Sequence, residues 1–464
     1  MLEQFFHLKE NGATVRTEII AGITTFVTMA YIIFVNPNML ATGAAATGSD
    51  QQAVFNGVFF ATCISAFIGT ALMGLLARMP FAQAPGMGLN AFFTFTVMIG
   101  MQITYPQALA IVFISGCLFI IITVFGLREA IIRAIPKNIR IAISAGIGLF
   151  LAFVGLQNAG LVVNSDSTLV NLVDFSKMTN AEMSATVIGA VISFIGVVII
   201  AALAKRGIKG SILIGILACT LLGIPFGITQ VSGALTQNLG QQFSDFVHVS
   251  LFKLDFAGLF GNSTGVVETV FTITMIVISF SLVDMFDTLG TLLGTARKAG
   301  MLDDNGEMPR MKQALLCDAI ATTSGALLGT STVTTYVESA AGVAEGGRTG
   351  LTSCTTAILM LACCVFAPVV GIIPGAATAP ALIYVGGLMI SSIKDLDTDD
   401  MSEAIPAFLC IALMPLTYSI ANGIAFALIS YVLIKLISGQ LKDIRIFTVV
   451  LSVLFVLRYL LMSL

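Results

Sequence analysis

The sequence predicts an all-α polytopic membrane protein of about fourteen transmembrane segments, arranged as two inverted repeats of seven. Three observations carry that prediction. Hydrophobic residues make up 57% of the 464 residues and charged residues only 10%, with a mean hydropathy of +0.99. A soluble domain carries about a quarter charged residues, so the composition selects a membrane protein. Apolar runs of spanning length recur along the whole chain. Lysine and arginine alternate between dense and sparse from loop to loop, as a chain that crosses and recrosses a bilayer requires.

The elements follow in order. The polar lead "MLEQFFHLKENGATVRTE" (1–18) has no apolar core, so no cleavable signal peptide is expected. Apolar runs lie near 19–35, 55–77, 106–125, 139–157, 184–203 and 209–228, then near 266–291, 312–330, 351–372, 376–392, 403–420 and 422–438. Two further stretches are irregular: "FAQAPGMGLNAFFTFTVM" (81–98) and "STVTTYVESAAGVAEG" (331–346). Each opens with Pro, Gly, Ser or Thr and then becomes helix-friendly. Each therefore predicts a half-helix approached by a short extended segment. Counting both gives seven crossings per half. With the N-terminus in the cytoplasm, inner loops collect Arg128, Arg133, Lys137 and Arg140, then Lys205, Arg206 and Lys209, then Arg297 and Lys298, while outer loops hold only Lys177 and Lys253. Removing either irregular segment from the count would invert every later loop. Outer loops are expected near 36–54, 158–183, 229–265 and 368–376. An odd number of crossings per half sets the halves in opposite orientations, and the interruption is the third segment of each. Paired interruptions at corresponding positions point to a transporter's binding site. The tail 444–463, interrupted by Arg458, suits either a fifteenth span or a helix lying in the interface.

Several function classes fall away. A net charge of −3 without a basic tract gives no footprint for nucleic acid. The eight cysteines sit in or beside apolar runs, without metal-site or disulfide spacing, and read as core residues. "GNSTG" (261–265) fits the string G-x-S-x-G but lacks a strand–turn–helix context. The two histidines, His7 and His248, fall on opposite sides of the membrane in this topology. A hydrolase is not expected, and neither is a cofactor or a metal.

The candidate site is a set of polar residues inside apolar segments. "FSLVDMFDTLG" (280–290) places Asp284 and Asp287 three apart on one helix face, with Ser281 and Thr288 on the same side. "TTYVESAAG" (334–342) places Glu338 at the start of a half-helix, where open N–H groups and the helix dipole could hold its charge or a ligand's polar edge. An aspartate at the membrane centre costs about 2.5–3.5 kcal/mol on insertion scales. Such groups persist for function or inside a paired network. Asn90 in "APGMGLNAFF" holds the matching place in the first half and offers a donor and an acceptor; the alternative for it is a helix cap. Phe92 and Phe93 could stack on a ring or simply pack in the core. Thr24, Thr25 and Thr28 form a polar stripe on the first helix, available to a ligand or bonded back to their own carbonyls.

The motifs "RTEIIAGITTFVTMAYIIFVNP" (16–37), "APGMGLNAFF" (84–93), "VDMFDTLGTL" (283–292), "GTSTVTTYVESAAGVAEGGRTG" (329–350) and "TAPALIYVGGLM" (378–389) closely resemble the adenine/guanine/hypoxanthine permeases, the AzgA-like branch of the nucleobase–ascorbate transporters. The resemblance covers nearly the whole chain. It implies a core domain (1–125 and 266–372), a gate domain (126–228 and 373–440), an extracytoplasmic loop (229–265) and a C-terminal apolar segment (441–464). It also implies short antiparallel strands before the half-helices of segments 3 and 10, and proton-coupled import of purine bases across the cytoplasmic membrane. Gate domains of the family can pair as a homodimer. The family's segment-8 acids fall on Asp284 and Asp287, its segment-10 glutamate on Glu338 and its segment-3 asparagine on Asn90.

The chemistry agrees with that resemblance. A carboxylate can accept two N–H bonds from the edge of guanine, and a second carboxylate can carry the coupling proton. Substrate binding is assigned to Glu338, Asp284, Asn90 and Thr28, and proton coupling to Asp284 and Asp287. Glu338 is expected to read the purine edge. Asp284 is expected to carry the proton, with Asp287 holding it and the broken segment in place. An anion transporter of the sulfate type would avoid carboxylates at such a site. A channel has no need of the paired broken helices.

Overall fold

The computed structural model describes residues 2–126, 135–176, 184–230, 238–261, 266–298, 300–302 and 308–461. Segment 1 is a broken helix: α1 (Val15–Met29) and α2 (Ile32–Ala46) meet at Ala30 and Tyr31. It runs past the end expected near residue 35. The pair Asn36–Pro37 reads as a stop signal, yet Pro37 lies inside α2. Asn36 is buried, and its side-chain N–H group donates to Thr62 at 2.7 Å and Thr330 at 2.9 Å. The side-chain N–H donors of Asn36 are thus taken up by neighbouring segments inside the bundle. The loop that follows shrinks to a turn before α3 (Gln51–Leu72), whose first amides are capped by the Asp50 carboxylate.

After a π-helical turn, Met73–Ala77, the chain forms β1 (Gln83–Pro85), then α4 (Met87–Ala91) with a π-helical extension, Phe92–Gly100. The first half continues through α5 (Tyr105–Val124), α6 (Lys137–Asn158), α7 (Ser184–Lys205) and α8 (Ser211–Gly223). The expected loop at 158–183 contains a hairpin, β2 (Val162–Ser165) and β3 (Leu169–Leu172), and that at 229–265 contains short helices, Leu239–Asp245 and Phe256–Phe260.

The second half has α9 (Val266–Lys298), which at 33 residues outruns the expected 266–291, and α10 (Met311–Leu328). It goes on to β4 (Val333–Thr335), α11 (Ser339–Ala344) and α12 (Gly350–Ala362). Then come α13 (Gly375–Ile390), α14 (Met401–Leu416), α15 (Ile420–Ile437) and α16 (Ile446–Leu461). Among the described residues, 8 helices are long and apolar enough to cross a membrane, and shorter apolar helices accompany them. Large apolar side chains such as Phe194, Leu221, Ile358 and Phe408 face outward, as a surface meeting lipid requires.

The helices pack in two groups. In one, α1 to α5 assemble with α9 to α12. In the other, α6 to α8 assemble with α13 to α15, and α16 lies against α15. Glycines permit the closest crossings, as small residues do between membrane helices. A Cβ on Gly350 would lie 1.9 Å from the Gly74 carbonyl oxygen, and one on Gly386 would lie 2.4 Å from that of Gly148. The first pair joins α12 to the end of segment 2, and the second joins α13 to α6. Of two loops that join the groups, 126–138 falls largely outside the described residues. The other, 373–377, is the turn at Pro374 that opens α13.

Candidate functional site

The site is built around a crossing of two short strands. β1 and β4 pair antiparallel in the register Gln83↔Thr335, Ala84↔Thr334 and Pro85↔Val333. The ladder is lengthened by Gly86 N–H donating to Thr332 O (3.0 Å) and Tyr336 N–H donating to Ala82 O (2.9 Å). Extended backbone inside a membrane protein must find partners within the protein, and each strand supplies the other's. A Cβ on Gly86 would crowd the Thr334 methyl, so a side chain there would push on the crossing. Each strand then hands the chain to a half-helix, β1 to α4 and β4 to α11. Because the strands are antiparallel, the half-helices leave the crossing at opposite ends. This is the arrangement of short extended segment and half-helix that the sequence pattern implies.

Asn90 lies in the first turns of α4 and is fully buried. Its side-chain oxygen accepts a close hydrogen bond from the Ser331 hydroxyl, and its Nδ2 reaches Pro85 O at 3.5 Å. The Tyr336 hydroxyl donates to the same Pro85 carbonyl at 2.5 Å. Asn90 therefore ties segment 3 to the residues just before β4.

Glu338 is half-buried and directly precedes α11, with φ −60° and ψ −19°. Its carboxylate does not cap α11. Oε1 accepts from the Tyr31 hydroxyl at 2.6 Å. The open amides expected at this helix start are already used by a tight turn. Ser339 N–H donates to Tyr336 O (3.1 Å), Ala340 N–H to Val337 O (3.0 Å) and Ala341 N–H to Glu338 O (2.9 Å). The partner held to Glu338 is thus a phenol from the break in segment 1. Val337, beside it, is 50% exposed, so the tip of the turn faces open space.

The acids of α9 differ in exposure. Asp284 is fully buried and Asp287 is half-buried. Asp287 lies close enough to Asp318 and Glu338 for their charges to interact. Thr288 sits 2.9 and 3.0 Å from the two oxygens of Asp318 and 2.7 Å from the Thr334 hydroxyl. Ser281 instead meets Ser115 of α5 at 3.3 Å. The shared face of α9 therefore divides between α5 and the strand crossing.

Other candidates find structural partners. The Thr28 hydroxyl donates back to Thr24 O (3.0 Å) and Thr25 O (2.8 Å), the intrahelical alternative. Phe92 packs edge-on against Phe280 at 4.7 Å and Phe93 against Tyr105 at 6.4 Å, both fully buried. Four residues of "GNSTG" (262–265) lie outside the described residues. Among the described residues, no cluster of three or more His, Cys, Asp or Glu could hold a metal ion.

Sequence reasoning missed Asp318, Gln83, Glu18, Tyr31 and Tyr336. Asp318 is fully buried in α10 and receives Gln83 Nε2 at 3.4 Å as well as Thr288. Glu18 is fully buried near the start of α1. Its carboxylate accepts from Arg348 N–H (2.8 Å), Thr349 N–H (3.2 Å), Thr352 N–H (3.1 Å) and the Thr352 hydroxyl (2.7 Å). That caps α12 with a negative charge, where the helix dipole favours one. The Arg348 side chain in turn holds Val343 O (2.7 Å) and Gly347 O (2.8 Å) at the end of α11. A lone acid inside an apolar run is the signal that could have flagged Asp318.

Paired broken segments with acids between them, inside a polytopic helical bundle, define a membrane transporter and not an enzyme. The chain belongs to the permease family, whose model matches residues 16–426. It is 40% identical to adenine permease AdeP of Escherichia coli (strain K12), over 99% of this chain and 96% of that one. It is 39% identical to guanine/hypoxanthine permease PbuO of Bacillus subtilis (strain 168), over 98% and 99%. Among solved structures, the transmembrane domain of a cyanobacterium bicarbonate transporter, BicA, shares the fold. Its TM-score is 0.58 and its identity 15%, over 88% of this chain and 96% of that chain.

Proposed function

We propose that this chain is a proton-coupled symporter that imports purine nucleobases across the cytoplasmic membrane, with hypoxanthine and guanine as substrates and adenine within its range. The observation that carries the reading is the strand crossing. It brings Asn90 and Glu338, from opposite halves of the chain, to two half-helices beside the acids of α9. A flat neutral base needs donors and acceptors along its edges and no countercharge. The names of relatives similar over nearly the full length, adenine permease and guanine/hypoxanthine permease, support the same substrate class.

Glu338 accepts an N–H of the base, and Asn90 and the break in segment 1 complete the edge. Asp284, enclosed in α9, carries the coupling proton, and Asp287, one turn on, holds it and the broken segment in place. The chain crosses the membrane fourteen times as two inverted repeats, N-terminus in the cytoplasm. The helix group holding the crossing is the core domain, and the group of α6 to α8 with α13 to α15 is the gate domain, through which two copies can pair. Transport moves the core against the gate. Uptake of radiolabelled bases by cells expressing the chain tests this reading. Hypoxanthine and guanine should enter, uracil should compete poorly, and an uncoupler should abolish accumulation. Competition by uracil as strong as by hypoxanthine would refute it.

A further inference from the structure

Glu338 and Tyr31 are 307 positions apart, yet their side chains meet at 2.6 Å. Tyr31 is 1% exposed and stands where α1 breaks into α2. Its backbone carbonyl accepts from Phe34 N–H and Val35 N–H, at 3.1 Å each, in the first turn of α2. A buried phenol anchored this way is a fixture of the site, and its hydroxyl takes Oε1 of Glu338. Oε2 carries no bond to the phenol.

We propose that Tyr31 is a specificity-determining residue: by filling one acceptor position of Oε1 and fixing the carboxylate's rotation, it weakens the second N–H bond that Glu338 could accept from a bound purine. The inference rests on the reading that Glu338 binds a purine edge. The chemistry separates the candidate bases. Guanine presents N1–H and the 2-amino group side by side, a pair that matches a carboxylate with both oxygens open. Hypoxanthine presents N1–H without the amino group. Each carboxylate oxygen has two acceptor positions; with one of those on Oε1 filled by the phenol and the carboxylate's direction set by it, the second donor of guanine meets Oε1 at poorer geometry and adds little, so guanine and hypoxanthine bind with comparable strength. A site with both oxygens open would favour guanine strongly.

The test is equilibrium binding of guanine and hypoxanthine to the purified full-length protein and to Tyr31→Phe, which keeps the ring and removes the hydroxyl. Tyr105→Phe is the control. It removes an equally buried hydroxyl that bonds Gly329 O at 2.5 Å, outside this site. The ratio of guanine to hypoxanthine affinity should lie below about tenfold in the unaltered protein. It should rise about tenfold or more in Tyr31→Phe, the size of one hydrogen bond to a charged group. It should stay unchanged in Tyr105→Phe. A ratio that stays within about twofold in Tyr31→Phe while both bases still bind overturns the assignment. Guanine binding more than about 100-fold tighter than hypoxanthine in the unaltered protein overturns it as well, whether or not Tyr31→Phe folds. Failure of the unaltered protein to bind any purine tells instead against the purine reading.

Discussion

Replacing Glu338 by glutamine changes one atom of the proposed base site and little else. Oε1 already accepts from the Tyr31 hydroxyl at 2.6 Å, and the amide oxygen of glutamine can accept the same bond. That bond orients the new side chain, leaving its NH2 where Oε2 stood. A purine N–H then faces another N–H. Losing that hydrogen bond costs about 1–3 kcal/mol, so Glu338→Gln should weaken purine binding roughly 5- to 150-fold. The residue makes no bond to the amides of α11, whose first turn closes on backbone carbonyls, so the fold should be unaffected. Equilibrium binding to detergent-purified protein, with a thermal melt of each sample, separates the two effects. A melting temperature lowered by many degrees with unchanged affinity would mean that Glu338 is a structural group. Equal affinity and equal stability would mean that it does not touch the base.

Other predictions follow from the same geometry. Asp284→Asn mimics a permanently protonated acid; it should bind purine and exchange it across proteoliposome membranes but fail to accumulate it against a gradient, and loss of binding in Asp284→Asn beside a Glu338→Gln that binds normally but cannot accumulate would reverse the two roles. Glu18→Ala should strip the cap from α12 and leave several amides without an acceptor, costing at least about 3 kcal/mol; a melting temperature equal to that of the unaltered protein would contradict the burial of that network. Ser244→Cys, in a background without the native cysteines, should react with an impermeant thiol reagent from outside the cell, and labelling from the cytoplasmic side alone would invalidate the fourteen-crossing topology.

The helices were legible because spanning apolar runs and loop charges are local signals. The two half-helices were legible for the same reason: "APGMG" and "STVTTY" break periodicity before a helix-friendly stretch. What pairs with what was not legible. Gln83 and Thr335 meet in one register although most of the chain lies between them, and nothing local to Tyr31 announces Glu338. The threonine stripe is polar in sequence and leaves Thr28 open to a ligand or to its own carbonyls, and only the structure shows its hydroxyl donating back to its own helix. Glu18 sat in a stretch that reads as a polar lead, and its burial depends on α12 arriving from the other half. Asn36–Pro37 reads as a stop, but the helix continues, and the Thr62 and Thr330 hydroxyls accept from the Asn36 side-chain N–H groups inside the bundle.

The most direct test of the central claim is accumulation of radiolabelled hypoxanthine by the purified protein in proteoliposomes under an imposed pH gradient, acidic outside. The account predicts concentration of the base above its external level while the gradient lasts, and collapse to equilibrium when an uncoupler is added. Uptake that only equilibrates hypoxanthine, at the same rate with and without the gradient, would contradict it.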